Sequence, residues 1–185
     1  MSSGFGQPLD PLLLQRARRL DPAAHEAIYR LYSKACYNLA LRILGNPAAA
    51  EDIVQDVFVR VLGTISGFRG DAPFGAWLKR MTTNATIDVA RRNRRFEADS
   101  PEDLIERTVA ADPGLDVAVD AWSLLMRLSL RERAVVVLHE VEGYTHKELA
   151  ALFGQSESYS KSVLARALKR LGVVDVSATT LRGDQ

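Results

Sequence analysis

The chain has 185 residues, 47% of them apolar, with a net charge of only +1. Those values suit one large or two small folded domains and exclude wholesale disorder. The single cysteine, Cys36, excludes an internal disulfide and argues against a thiolate zinc site; no apolar run approaches the ~20 residues of a membrane span, and the N-terminus lacks the basic and apolar blocks of a signal peptide.

In chain order, the first strong helical signal is "AIYRLYSKACYNLALRIL", where Ile28, Leu31, Tyr32, Ala35, Leu39 and Ile43 follow three-or-four spacing and Cys36 sits as a small core residue. Gly45 is placed to stop that helix, and Asn46 with Pro47 to cap and open the next. That next helix carries Ile53, Val54, Val57, Phe58, Val61 and Ile65 on one stripe. "SGFRGDAP" breaks the pattern with glycines and a proline. A long helix is then expected from about Pro73 to Arg95, with Phe74, Trp77, Leu78, Met81, Ile87 and Val89 among its apolar residues. Its β-branched Thr82, Thr83, Thr86 and Ile87 weaken the local propensity, so packing must hold it. Residues 96–113, with Ser100-Pro101 and Asp112-Pro113-Gly114, read as a linker containing at most a short helical piece at Pro101–Val109. A second helical block is expected from about Leu115 to Leu171, followed by a loose tail. The expected organisation is all-α: two small helical domains, 1–95 and 114–171, joined by an acidic linker, with a tail at 172–185.

Charge is segregated in a way the average hides. Residues 76–95 hold Lys79, Arg80, Arg91, Arg92, Arg94 and Arg95 against Asp88 alone, whereas residues 96–120 hold eight carboxylates against Arg107. Such blocks call for different surfaces and different partners.

Three constellations carry chemistry. In "AEDIVQDVF", Asp52 and Asp56 lie four apart on one helix face with Gln55 beside them, a spacing that destabilises a helix by about 0.2–0.5 kcal/mol. Either the helix macrodipole favours Glu51 and Asp52 near the N-terminus while Asp56 pairs with Arg60, or the face meets a cationic protein partner. Between Phe68 and Arg95, the aromatics Phe68, Phe74 and Trp77 stand among bases and Asn84. That mixture serves a single-stranded nucleic acid, or else the rings are core. In "YTHKELAALFGQSESYSKSVLARALKRL", Thr145 with Glu148 forms a capping box, Gly154 suits a left-handed turn and Ser156 can cap a following helix. Helix, glycine turn, helix is the helix-turn-helix layout, and Ser156, Ser158, Tyr159, Lys161, Ser162 and Arg166 would face DNA. The alternative is an ordinary helical hairpin. Enzyme chemistry is not expected: His25, His139 and His146 are scattered, with no nucleophile, metal cluster or phosphate loop, and no cofactor is called for.

Taken together, "AEDIVQDVFVRVL", "FRGDAPFGAWLKRMTTNATIDVARRNRR", "LSLRERAVVVLHEVEGYTHKELAALFG" and "KSVLARALKRL" resemble, in order, the extracytoplasmic-function (ECF) sigma factors, a two-domain group of bacterial transcription initiation factors. A cytoplasmic protein is already expected from the lack of a membrane span and of signal-peptide blocks; the resemblance covers most of residues 22–171. It implies that the helix with Asp52, Gln55 and Asp56 docks on the basic clamp helices of the RNA polymerase β′ subunit, with the β flap as a second contact on the core. It implies that Phe68–Arg95 melts the −10 element, the loop Phe68–Phe74 holding a flipped base while Lys79, Arg80 and Asn84 face DNA and the arginine cluster Arg91, Arg92, Arg94 and Arg95 meets phosphate. The helix-turn-helix would read the −35 element, and the acidic linker would thread a basic polymerase channel. An anti-sigma protein is a further partner of the family. Gln155 and Ser160 replace aliphatic residues usual there, and Val163 stands where a basic residue is common, which would remove a phosphate contact. The rival reading is a helix-turn-helix regulator acting without polymerase. It leaves the carboxylate face and the aromatic-basic segment without purpose.

Overall fold

The computed structural model describes residues 4–92 and 116–172, for residues 116–120 the backbone alone. Arg94, Arg95, the acidic linker and the tail lie outside the described residues. The chain divides into two compact units at Glu97/Ala98, each described by itself. Every regular element among the described residues is helical.

The first unit comprises α1 (Pro11–Arg18), α2 (Pro22–Leu44), α3 (Pro47–Thr64), a single 3₁₀ turn (Ile65–Gly67) and α4 (Phe74–Arg92). Three helices start alike: the side chains of Asp10, Asp21 and Asn46 accept from free backbone N–H groups, and Pro11, Pro22 and Pro47 open the first turns. Gly45 ends α2 at φ +66°, a left-handed position that costs glycine nothing. The expected stripes pack together: Ile28, Tyr32, Leu39 and Ile43 of α2 meet Ile53, Val57 and Val61 of α3 and Leu78 and Ile87 of α4. Helix α1, absent from the sequence-based expectation, lies against α2 and the 3₁₀ turn.

Helix α4 begins at Phe74 and is described to Arg92. Its threonines form a polar strip of the core rather than merely weak helix formers. Thr82, Thr83 and Thr86 are fully buried. The Thr82 hydroxyl donates to the Leu78 carbonyl at 2.9 Å and that of Thr86 to the Thr82 carbonyl at 2.8 Å, so burial leaves neither donor unpaired. Cys36 packs against Thr82 and is fully buried, and burial pushes its thiol pKa up to about 11. A neutral thiol suits a core role, not redox chemistry.

The second unit comprises α5 (Asp116–Met126), α6 (Leu130–Val136) running on through a π-helical stretch (Val137–Val141), α7 (His146–Phe153) and α8 (Glu157–Arg170). Ser129 with Glu132 and Thr145 with Glu148 each form a complete capping box. Gly154 takes φ +64° between α7 and α8, and Ser156 caps α8 through the Tyr159 N–H. Leu149, Val163, Leu164 and Ala167 close the core. Glu132 is buried yet satisfied: besides its cap it meets Arg170 Nη1 at 2.8 Å, which ties α6 to the C-terminal end of α8. Among the described residues no helix is long and apolar enough to cross a membrane.

Candidate nucleic-acid and protein interface

Helix α3 buries Ile53, Val54, Val57 and Val61, so the opposite face is forced outward. Asp52, Gln55 and Asp56 are all exposed there. The alternative in which Asp56 is absorbed by Arg60 does not hold, as no ion pair joins them. The same face continues into apolar surface at Val59, 67% exposed, and Leu62, 47% exposed. These two were missed in the sequence, although their spacing of three and six from Asp56 was readable. Beside them, Tyr29 of α2 packs edge-on against Phe58 at 4.8 Å. A carboxylate end adjoining an apolar end fits a protein partner with both basic and apolar groups.

The aromatic segment forms one cluster. Phe68, Phe74 and Trp77 lie 5.2–5.6 Å apart, centroid to centroid, and Tyr32 joins from α2 at 5.5 Å from Phe74. Phe68 and Phe74 are buried, while Trp77 is half-buried. Trp77 and Phe68 line an open-sided hollow of about 420 Å³ whose remaining wall is Gly63, Thr64, Ser66 and Gly67. That volume falls within the ~300–1,000 Å³ of small-ligand sites. The hollow lies on the α3 side of Phe68, and none of Arg69–Phe74 lines it. Its wall carries no charged side chain, and the Thr64 hydroxyl there already donates to the Arg60 carbonyl at 2.6 Å.

On α4, Arg80, Asn84, Asp88, Arg91 and Arg92 are exposed at spacings of three to four and form one stripe. Lys79 is half-buried to one side of it. Asp88 interrupts the stripe: its carboxylate lies 4.0 Å from Arg91 Nη1, and its carbonyl accepts from Arg92 Nε at 3.3 Å.

On α8, Ser158, Lys161, Ser162 and Arg166 are exposed together, and Ser156 lies exposed at the cap. The Ser162 hydroxyl already donates to the Ser158 carbonyl at 2.9 Å, leaving its lone pairs outward. Tyr159 is half-buried against α6, its hydroxyl accepting from Arg131 Nη1 at 2.5 Å and its ring 5.8 Å from that guanidinium. Arg131 thus delivers charge beside α8 from 28 residues away. One expectation needs correction: Val163 is fully buried, so its position is a core position and no phosphate contact is lost by having valine there. Ser160, in contrast, is the polar core residue expected. Its hydroxyl lies 3.0 Å from His146 Nδ1.

His146 also stacks on His139 at 4.4 Å. Desolvation lowers its pKa from the usual 6.5, and the neighbouring His139 and Lys161 push the same way against Glu157 and Glu140. The folded domain therefore resists a proton that the unfolded chain accepts, and stability falls as pH drops through about 6.5. Melting of this unit between pH 7.5 and 6.0 is expected to show that loss, and His146→Asn to flatten it. An identical slope in the variant would remove His146 as the cause.

The Sigma-70 region 2 family matches residues 28–96, and the Sigma-70 region 4 family residues 119–171. The chain is 30% identical over 174 residues to the ECF RNA polymerase sigma factor SigM of Mycobacterium tuberculosis, covering 91% of this chain and 87% of that protein. It is 31% identical over 154 residues to SigE of Mycolicibacterium smegmatis, covering 79% of this chain but only 59% of the relative. A similar solved structure is the sigma factor RpoE in complex with the anti-sigma factor NepR from Bartonella quintana, at 25% identity and a TM-score of 0.56, covering 79% of this chain and 92% of that one. With a region 2 match, a region 4 match and a relative matched over 87% of its length in agreement, the chain belongs to the ECF RNA polymerase sigma factors, the factors that direct polymerase in transcription initiation.

Proposed function

We propose that the chain assigns its surfaces as follows. The α3 face of Asp52, Gln55, Asp56, Val59 and Leu62 docks on the basic clamp helices of the β′ subunit, and the second unit meets the β flap. The hollow beside Trp77 and Phe68 holds an unpaired non-template base of the −10 element. The stripe of Arg80, Asn84, Arg91 and Arg92, joined by Lys79 and the following Arg94 and Arg95, carries the strand backbone. Helix α8 reads the −35 element through Ser158, Lys161, Ser162 and Arg166, with Tyr159 held beside them by Arg131. The domain limits 1–95 and 114–171 follow from this division, and the acidic residues 96–113 between them occupy a basic polymerase channel. A cytoplasmic location goes with this reading. The RpoE–NepR complex supports an anti-sigma protein as a further partner.

The single observation that carries this reading is the pairing, on one small unit, of an exposed carboxylate–apolar face with a neutral hollow beside a basic stripe. A regulator that merely binds duplex DNA has no use for either. The test is promoter binding with and without core polymerase: sequence-specific binding should require the core. Equal specificity from the chain alone would favour the polymerase-independent regulator.

At the −35 element the contacts divide by chemistry. Lys161 meets phosphate, so Lys161→Ala should weaken holoenzyme binding evenly across promoters and lower the log–log salt slope by about one unit. A changed sequence preference in a randomised −35 library would instead place Lys161 on a base.

A further inference from the structure

The loop Phe68–Phe74 beside the hollow is tied at both ends by one segment of the chain, residues 4–18. At the first end, Arg18 in the last turn of α1 reaches 50 residues along the chain, and its Nη2 donates to the Phe68 carbonyl. The Nε of the same guanidinium is buried without a hydrogen-bond partner, so the Phe68 carbonyl is the acceptor the side chain reaches. Helix α1 also packs on the 3₁₀ turn, whose Ser66 and Gly67 line the hollow. At the second end, Phe5 is buried and its carbonyl lies over Gly75, so close that a Cβ on residue 75 would stand 1.8 Å from Phe5 O. Only glycine admits that approach. Two residues on, the Gln7 carbonyl accepts from the Tyr32 hydroxyl at 2.7 Å, and the Tyr32 ring packs on Phe74. Between the anchors, Arg69–Pro73 are exposed and hold an ion pair of their own, Arg69 with Asp71 at 2.8 Å. The segment lies N-terminal of the matched residues 28–96.

We propose that residues 4–18 are a brace that sets the shape of the base-holding hollow, with Arg18 as the positioning residue at one end of the loop and the Phe5–Gly75 contact at the other. This rests on the hollow being the base site. Neither end needs to touch DNA: the brace acts by fixing Phe68, and through it the edge on which Trp77 packs. The loop then discriminates bases because its walls do not yield to a wrong one.

The experiment uses the full chain with core polymerase and a set of single-stranded −10 non-template oligonucleotides differing at the captured base. Arg18→Met keeps the aliphatic stem and removes the donor; Gly75→Ala drives Phe5 off without removing a polar group. Each should reduce discrimination at the captured base about three- to tenfold, with core affinity unchanged. Amide exchange of residues 66–73 should accelerate in both. Arg18→Lys, which can still donate to the Phe68 carbonyl, should recover part of the discrimination. Gly67→Leu, which fills the hollow, is the control. If Gly67→Leu abolishes capture while Arg18→Met and Gly75→Ala discriminate like the parent, the hollow stands and the brace is refuted. If Gly67→Leu also leaves capture intact, the hollow itself is not the site and the brace falls with it. Unaltered amide exchange in both brace variants refutes the mechanical link directly, whatever the DNA result.

Discussion

Reversing both charges on α3, Asp52→Lys with Asp56→Lys, is expected to lower affinity for core polymerase by at least about a hundredfold, roughly 3 kcal/mol, the scale of paired hot spots at charged interfaces. Two attractions become two repulsions against a basic partner, so both association and complex lifetime suffer. The fold should not register the change. Both carboxylates are exposed, and neither forms an ion pair that would be lost. They also lie beyond the first turn of a helix that starts at Pro47, where the macrodipole no longer favours acid. Competition binding to core, alongside a thermal melt, checks both halves. Core affinity within twofold of the parent would remove α3 as the docking face.

Filling the hollow gives the second large effect. Gly67 lines it, and a Cβ built there meets nothing within 4 Å, with no left-handed φ to oppose a side chain. Gly67→Leu should therefore leave the melting temperature unchanged or slightly raised, because the unfolded chain loses freedom that the native turn does not need. Capture of the −10 non-template strand should nevertheless fall by about tenfold or more, since a stacked base is worth ~1–3 kcal/mol and its space is occupied. The contrast of an intact fold with lost strand binding distinguishes a site from a structural cavity. Normal open-complex formation by Gly67→Leu would show that the base goes elsewhere.

The parts of this molecule legible in sequence were those written in local rules. Asn46-Pro47, Thr145 with Glu148, Gly154 and Ser156 act within four residues, and each occupies the cap or turn position its chemistry implied. The outward placement of Asp52, Gln55 and Asp56 followed from the inward stripe of Ile53, Val54 and Val57 by helical geometry alone. What escaped depends on distant approach. Arg131 reaches Tyr159 over 28 residues and Arg18 reaches Phe68 over 50, and no periodicity announces either. Helix α1 was passed over because eight residues give too few turns for a stripe, although Asp10-Pro11 carried the start signal. The weak helix propensity of Thr82, Thr83 and Thr86 is legible, whereas their burial, and the hydrogen bonds of Thr82 and Thr86 to the preceding turn, are not. A family pattern gives Val163 a surface role, and its place on the inward side of α8 overrules that pattern.

The central claim is that this chain confers promoter choice on polymerase, using one unit to dock and open DNA and the other to read the duplex upstream. Run-off transcription of genomic DNA by purified core polymerase, with start sites sequenced, tests it most directly. The account predicts discrete starts that appear only when the chain is added, share −10 and −35 elements, and vanish with the Asp52→Lys, Asp56→Lys variant. Starts no different from those of core polymerase alone, with the chain nevertheless bound to duplex DNA, would contradict it.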